Sequence, residues 1–121
     1  MIKILLTILI SFACLTFASV PVYTFETGAD AKLAIGGSNE LKRTLEAHQP
    51  IQVYRICVGK KKTNCGYWEN TETKKKVANA PVTVNKGDGN LILKNVTEAD
   101  SGSYYNGEVY LSVQVFPPIT D

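Results

Sequence analysis

Cys57 and Cys65 flank the segment "VGKKKTN". Two thiols so close in an oxidising compartment are expected to form a disulfide. The third cysteine, Cys14, lies in a segment expected to be removed, which leaves an even pair. Metal binding is not expected, because two cysteines and one distant histidine, His48, cannot fill a tetrahedral site. Catalysis finds no support either. There is no serine elbow, no paired Cys–His motif and no phosphate loop, and Glu69 and Glu72 read as solvated groups in or beside a hairpin. The chain is therefore expected to be no enzyme and to need no cofactor. Asn95-Val96-Thr97 is an acceptor sequence for N-linked glycan in a secreted protein. Lys60-Lys61-Lys62 and Lys74-Lys75-Lys76 are read as solvated loop tips, or else as a docking site for a sulfated glycan or acidic surface.

The compartment follows from the first eighteen residues. Lys3 supplies a basic start, "ILLTILISFACLTFA" an apolar run, and Thr16 and Ala18 small residues for cleavage before Ser19. That is the pattern of a secretory signal peptide, and the run is short for a membrane span. Residues 19–121 are expected to form one secreted, extracellular domain with no membrane span. Without Lys3, twelve basic face eleven acidic residues, a net charge near +1, so no strong attraction to nucleic acid is expected.

The elements that must position these residues read as short strands between turn signals. "VPVYTF" (20–25) is a first strand whose Pro21 suits a sheet edge. "ADAKLAI" places Ala31, Leu33 and Ile35 on one face and Asp30, Lys32 and Ala34 on the other, the period of a half-buried strand. "SNELKRTLEAHQ" is expected to be a loop with a short helical turn capped by Ser38 or Asn39. "IQVYRICV" and "NCGYWE" form a hairpin. A turn centred on Lys61 sets Cys57 opposite Cys65, Arg55 opposite Tyr67 and Tyr54 opposite Trp68, all close enough to interact. "PVTV" and "GNLILKNV" follow, separated by the turn signal "NKGDG". In "EVYLSVQVF", Val109, Leu111, Val113 and Val115 make an apolar stripe, with Glu108, Tyr110, Ser112 and Gln114 on the other face.

The stretch "LILKNVTEADSGSY" resembles the E-to-F signature of immunoglobulin superfamily domains of the variable or intermediate type. Leu91 and Leu93 match the core positions of strand E, Val96 the corner, Asp100 and Gly102 the turn, and Tyr104 the tyrosine corner. The resemblance implies that the Tyr104 hydroxyl bonds back to upstream backbone. "GADAKLAI" looks like strand B, with Ile35 where the first cysteine should be. The implied fold is an all-β, two-sheet antiparallel Ig-like sandwich. The usual inter-sheet disulfide is missing, since position 106 is asparagine, and the strand C tryptophan is missing too, with Tyr54 its expected substitute. Cys57–Cys65 is no equivalent, as it staples neighbours within one sheet.

Asn106 has two readings. It fills the cysteine's inward site, or Asn106-Gly107 is a two-residue hairpin turn. The turn is preferred because it pairs Tyr104 with Val109 and Gly102 with Leu111 inward, and Tyr105 with Glu108 and Ser103 with Tyr110 outward. Strand F then ends at Tyr105.

With "IQVYRICV" as strand C, Tyr54, Ile56 and Val58 point inward and Val53, Arg55 and Cys57 outward. An outer face of a G-F-C-C′ sheet would then show Arg55, Tyr67, Glu69, Tyr105 and Tyr110. Tyrosine and arginine dominate interface hot spots, although tyrosine also simply favours strands. The expected function is binding of another extracellular protein, or self-association, through that face. The alternative is a cationic effector binding sulfated glycans through the two lysine runs.

Overall fold

The computed structural model describes residues 20–35, 39–47, 50–60, 63–85, 90–107 and 109–118. The signal segment, Ser38, His48, Lys61, Lys62, most of the "NKGDG" turn and Glu108 lie outside the described residues.

Among the described residues nine strands form two sheets. They are β1 (Val22–Glu26), β2 (Ala31–Leu33), β3 (Glu40–Leu45), β4 (Gln52–Arg55), β5 (Trp68–Asn70), β6 (Val82–Asn85), β7 (Leu91–Lys94), β8 (Gly102–Tyr105) and β9 (Tyr110–Phe116), with one 3-10 turn at Glu98–Asp100. The larger sheet runs β1-β9-β8-β3-β4-β5 and the smaller β2-β7-β6. Every pairing is antiparallel except β1 on β9, which is parallel. Nine strands split in this order are the variable-type arrangement of the immunoglobulin-like sandwich, in which two extra strands extend one sheet.

Period-two burial explains most of the strands. Ala31, Leu33 and Ile35 are buried and Lys32 is exposed. Leu91, Leu93 and Val96 face the same core. Leu111, Val113 and Val115 are buried from the opposite sheet. Val109, expected on that stripe, is 40% exposed because it lies before β9 in the connecting loop.

The segment expected to hold a helical turn is instead β3, paired to β4 on one side and β8 on the other. Leu41, Arg43 and Leu45 are buried, while Glu40 and Lys42 are exposed. That is strand periodicity with an arginine in an inward phase, and packing overrides the helix preference of its leucine, lysine and arginine. The insertion moves "IQVYRICV" one place outward: β4 does not touch β8 and takes the C′ position. It is also shorter than expected. Tyr54 is buried as foreseen, but Ile56 is only half-buried and Val58 is 62% exposed. Val53, expected outward and open, is buried between its ladder partners Lys42 and Glu69.

The β4–β5 hairpin keeps the expected register, with Tyr54 opposite Trp68. Beyond it the Gly66 N–H bonds the Arg55 carbonyl at 2.8 Å, and Cys57 and Cys65 are joined in a disulfide with Cα atoms 5.1 Å apart. The tryptophan of the core is Trp68 from β5. It packs edge-on to Tyr104 at 6.0 Å and tilted against Tyr54 at 5.5 Å, so Tyr54 accompanies the tryptophan and does not replace it.

Candidate functional site: the outer face of the six-stranded sheet

The core beneath the face is held by a polar cluster. The Tyr104 hydroxyl donates to the Asp100 carbonyl at 2.7 Å, the bond that the corner motif implies. Arg43 Nη1 donates to the same hydroxyl at 3.2 Å and to Asp100 Oδ1 at 3.4 Å, and its Nε donates to Gln52 Oε1 at 2.7 Å. Asp100 Oδ2 accepts the Thr97 N–H at 2.8 Å, closing the short 3-10 turn. Burial pushes the Tyr104 phenol up to about 12, only partly opposed by the Arg43 charge. Desolvation raises Tyr54 as well. Its hydroxyl donates to the Thr83 carbonyl, and the Trp68 indole N–H donates to Thr83 Oγ1. These two bonds tie the large sheet to β6 in the small one.

On the opposite surface of the same sheet, one transverse row runs Tyr110, Tyr105, Lys42, Val53, Glu69, and Lys76 continues it through an isolated bridge to Glu69. Tyr105 and Tyr110 are direct ladder partners, and their rings stack at 5.6 Å with planes 15° apart. The expected opposition of Tyr105 to Glu108, Tyr104 to Val109, Gly102 to Leu111 and Ser103 to Tyr110 is not found. Tyr104 faces Leu111, Gly102 faces Val113 and Ser103 faces Ser112. The register differs by two because the loop spans residues 106–109, closed by the Asn106 N–H on the Val109 carbonyl at 3.1 Å. An even shift preserves which side chains share a face, so both tyrosines still point outward.

Glu69, expected to be solvated, is instead buried and forms a short ion pair with Arg55, which also lies 3.6 Å from Glu40. The hydrogen bond to Glu69 raises the guanidinium above its ordinary value. Tyr67 does not join the tyrosine pair. It lies on the β5 side, with the Lys76 ammonium 5.9 Å from its ring centroid. Four strand spacings, about 19 Å, separate β5 from β9. There Tyr67 lines a cleft of about 500 Å³ with Trp68, Lys76, Pro81 and Thr83. Lys60, Lys74, Lys75 and Lys76 are all exposed. Asn95 is exposed at the end of β7 in the small sheet, with φ 56°. Among the described residues no three His, Cys, Asp or Glu side chains converge to hold a metal ion, and no helix is long and apolar enough to cross a membrane.

Sequence reasoning missed Arg43, Gln52, Lys42 and Glu40. The alternation in "ELKRTL" was the available signal for all but Gln52.

No family model and no curated protein matches the chain. Among solved structures it is similar to Tim-2, at 17% identity over 87% of this chain and 99% of that one, with a TM-score of 0.42. It is also similar to the second Ig domain of the mouse polymeric immunoglobulin receptor, at 13% identity over 85% of this chain and 100% of that one, with a TM-score of 0.44. Strand order and the Tyr104 corner together make this chain an immunoglobulin-like β-sandwich that lacks the inter-sheet disulfide.

Proposed function

We propose that the chain is a secreted recognition domain that binds another extracellular protein through the outer face of its six-stranded sheet. The fold alone assigns no function, which resides in the surface that the sandwich displays. The observation that carries the reading is the Tyr105–Tyr110 stack, on the same face as Arg55 with Glu40 and Glu69. Large rigid side chains lose little conformational entropy on binding, and nearby charges of both signs set register and partner choice. A glycan on Asn95 would sit on the other sheet and leave this face open.

The test is capture of partners from extracellular fluid by the wild-type domain and by an Arg55→Ala/Tyr110→Ala variant. Loss of capture supports the reading, and unchanged capture together with unchanged self-association overturns it. The exposed lysines Lys60 and Lys74–Lys76 support the alternative of sulfated-glycan docking. Salt separates the two, because lysine-driven binding weakens steeply with ionic strength and an aromatic interface does not.

A further inference from the structure

The Asn106 side-chain amide is engaged at both ends. Its Nδ2 donates to the Ile35 carbonyl at 2.6 Å, and its Oδ1 accepts the Val109 N–H at 3.2 Å. The first bond ties the β8–β9 loop to the chain leaving β2 in the other sheet. The second ties it to the chain entering β9. Ile35 and Asn106 are the two positions at which the resemblance expects cysteines, so a hydrogen bond joins them where a sulfur bridge would. Neither reading of Asn106 holds as stated: it opens a four-residue loop, not a two-residue turn, and its half-buried side chain reaches the Ile35 backbone without filling the inward site.

The next residue is Gly107, exposed, at φ 81°, with open space where a Cβ would stand. An asparagine followed by glycine is the dipeptide that loses its side-chain amide most readily, because no side chain shields the following backbone nitrogen. We propose that Asn106–Gly107 is a deamidation site that the fold holds shut, and that its conversion releases the β8–β9 loop.

The chemistry needs only water. The Gly107 backbone nitrogen gives up its proton and attacks Asn106 Cγ. A C–N bond forms, the bond to the amide nitrogen breaks, and ammonia leaves with the proton. Water then opens the cyclic imide at either carbonyl, leaving an aspartyl or an isoaspartyl residue at position 106. While the amide is bonded to both Ile35 and Val109, Cγ cannot swing onto the Gly107 nitrogen, so the reaction waits for local opening. After conversion position 106 offers the Ile35 carbonyl no donor, and a carboxylate oxygen faces it instead. The loop loses its tie to the other sheet, and the Tyr105–Tyr110 pair, the last rung before the loop, loosens first.

The purified chain is incubated at mildly alkaline pH, folded and in urea, and position 106 is followed by peptide mass spectrometry. Conversion should be about tenfold or more slower in the folded chain, as expected for a reaction gated by local opening. Equal rates would overturn the protection. In urea, Gly107→Ala should abolish the fast reaction at position 106, and a fast reaction that persists there would overturn the role given to Gly107. Asn106→Asp should melt about 4–8 °C lower and exchange the Val109 and Tyr110 amide protons faster, with Val113 unchanged. If that variant does not fold, aged native chain separated by charge gives the same comparison. Unchanged melting and exchange would overturn the release.

Discussion

Arg43 lays its guanidinium carbon 4.1 Å above the ring of Trp68, inside the core. The contact joins β3 to β5 across β4, and the same guanidinium lies 5.8 Å from the Tyr104 ring. A buried arginine is tolerated here because its fork is engaged by Gln52, Tyr104 and Asp100. Among the described residues no buried side-chain polar atom lacks a partner. The cation thus stands at the centre of the sandwich, under the face proposed to bind.

Truncating Arg43 leaves the Asp100 carboxylate and the Gln52 amide buried without it. Arg43→Ala should cost about 3–5 kcal/mol, the loss seen when one member of a buried pair is removed. Arg43→Lys should not rescue it, since a point ammonium cannot stack on Trp68 and bond three partners at once. Asp100→Asn leaves the Arg43 cation buried without its counter-ion and turns an amide N–H toward Arg43 or Thr97, so it should cost a comparable amount. Urea denaturation followed by fluorescence of Trp68, the one tryptophan of the chain, measures all three. A loss near zero for either Arg43→Ala or Asp100→Asn would refute this account of the cluster.

The Tyr104 phenol gives the fold an alkaline limit. Its pKa is raised to about 12 from an ordinary 10.0, with burial the main cause. Above the ordinary value the unfolded chain releases this proton while the folded chain keeps it, so the unfolded state gains. The stabilisation is whole below pH 10 and falls away toward pH 12, by up to roughly 3 kcal/mol. Tyr54, raised by desolvation, adds in the same direction. Tyr104→Phe should lose about 1 kcal/mol at neutral pH with the corner hydrogen bond. It should also show a flatter decline above pH 10 in pH-resolved denaturation.

Gly102 is required by its neighbour and not by its own dihedral angles. A Cβ there would collide with the Thr44 carbonyl oxygen and stand 2.8 Å from Leu45 Cα. These are backbone atoms of β3 that cannot step aside. Gly102→Ala should therefore cost at least about 1–3 kcal/mol, as overpacking does. Gly107→Ala meets no atom and is opposed only by its positive φ. Chemical melts of the two variants should rank them in that order.

These same contacts show what was legible beforehand. The apolar alternation of "ADAKLAI" and "LILKNV" names its own buried residues, and the cysteine spacing sets the β4–β5 register. The β3 strand was hidden because Arg43 occupies an inward position and reads as polar. Its partners Asp100 and Tyr104 lie far along the chain, and only the folded sheets bring them together. The tyrosine face survived an error in the β8–β9 register because that error was even. The four-residue loop includes a bond between Asn106 and Ile35, a long-range contact that local turn rules do not contain.

The Cys57–Cys65 bridge closes a short loop at an exposed end of the β4–β5 hairpin, with Cys57 exposed and Cys65 half-buried. Loop closure of that size is worth about 2.5 kcal/mol through the unfolded state. Trp68, Tyr54 and the Arg43 cluster lie on the inward side and do not depend on it. A Cys57→Ser/Cys65→Ser variant should therefore keep the native near-ultraviolet spectrum and a cooperative melt, with stability lower by about that amount. The Tyr105–Tyr110 stack is at the other end of the transverse row, so partner capture should persist in this variant. Global unfolding on loss of the bridge would show instead that the hairpin tip organises the core, and that the hydrogen-bonded pair Ile35 and Asn106 does not by itself hold the two sheets together.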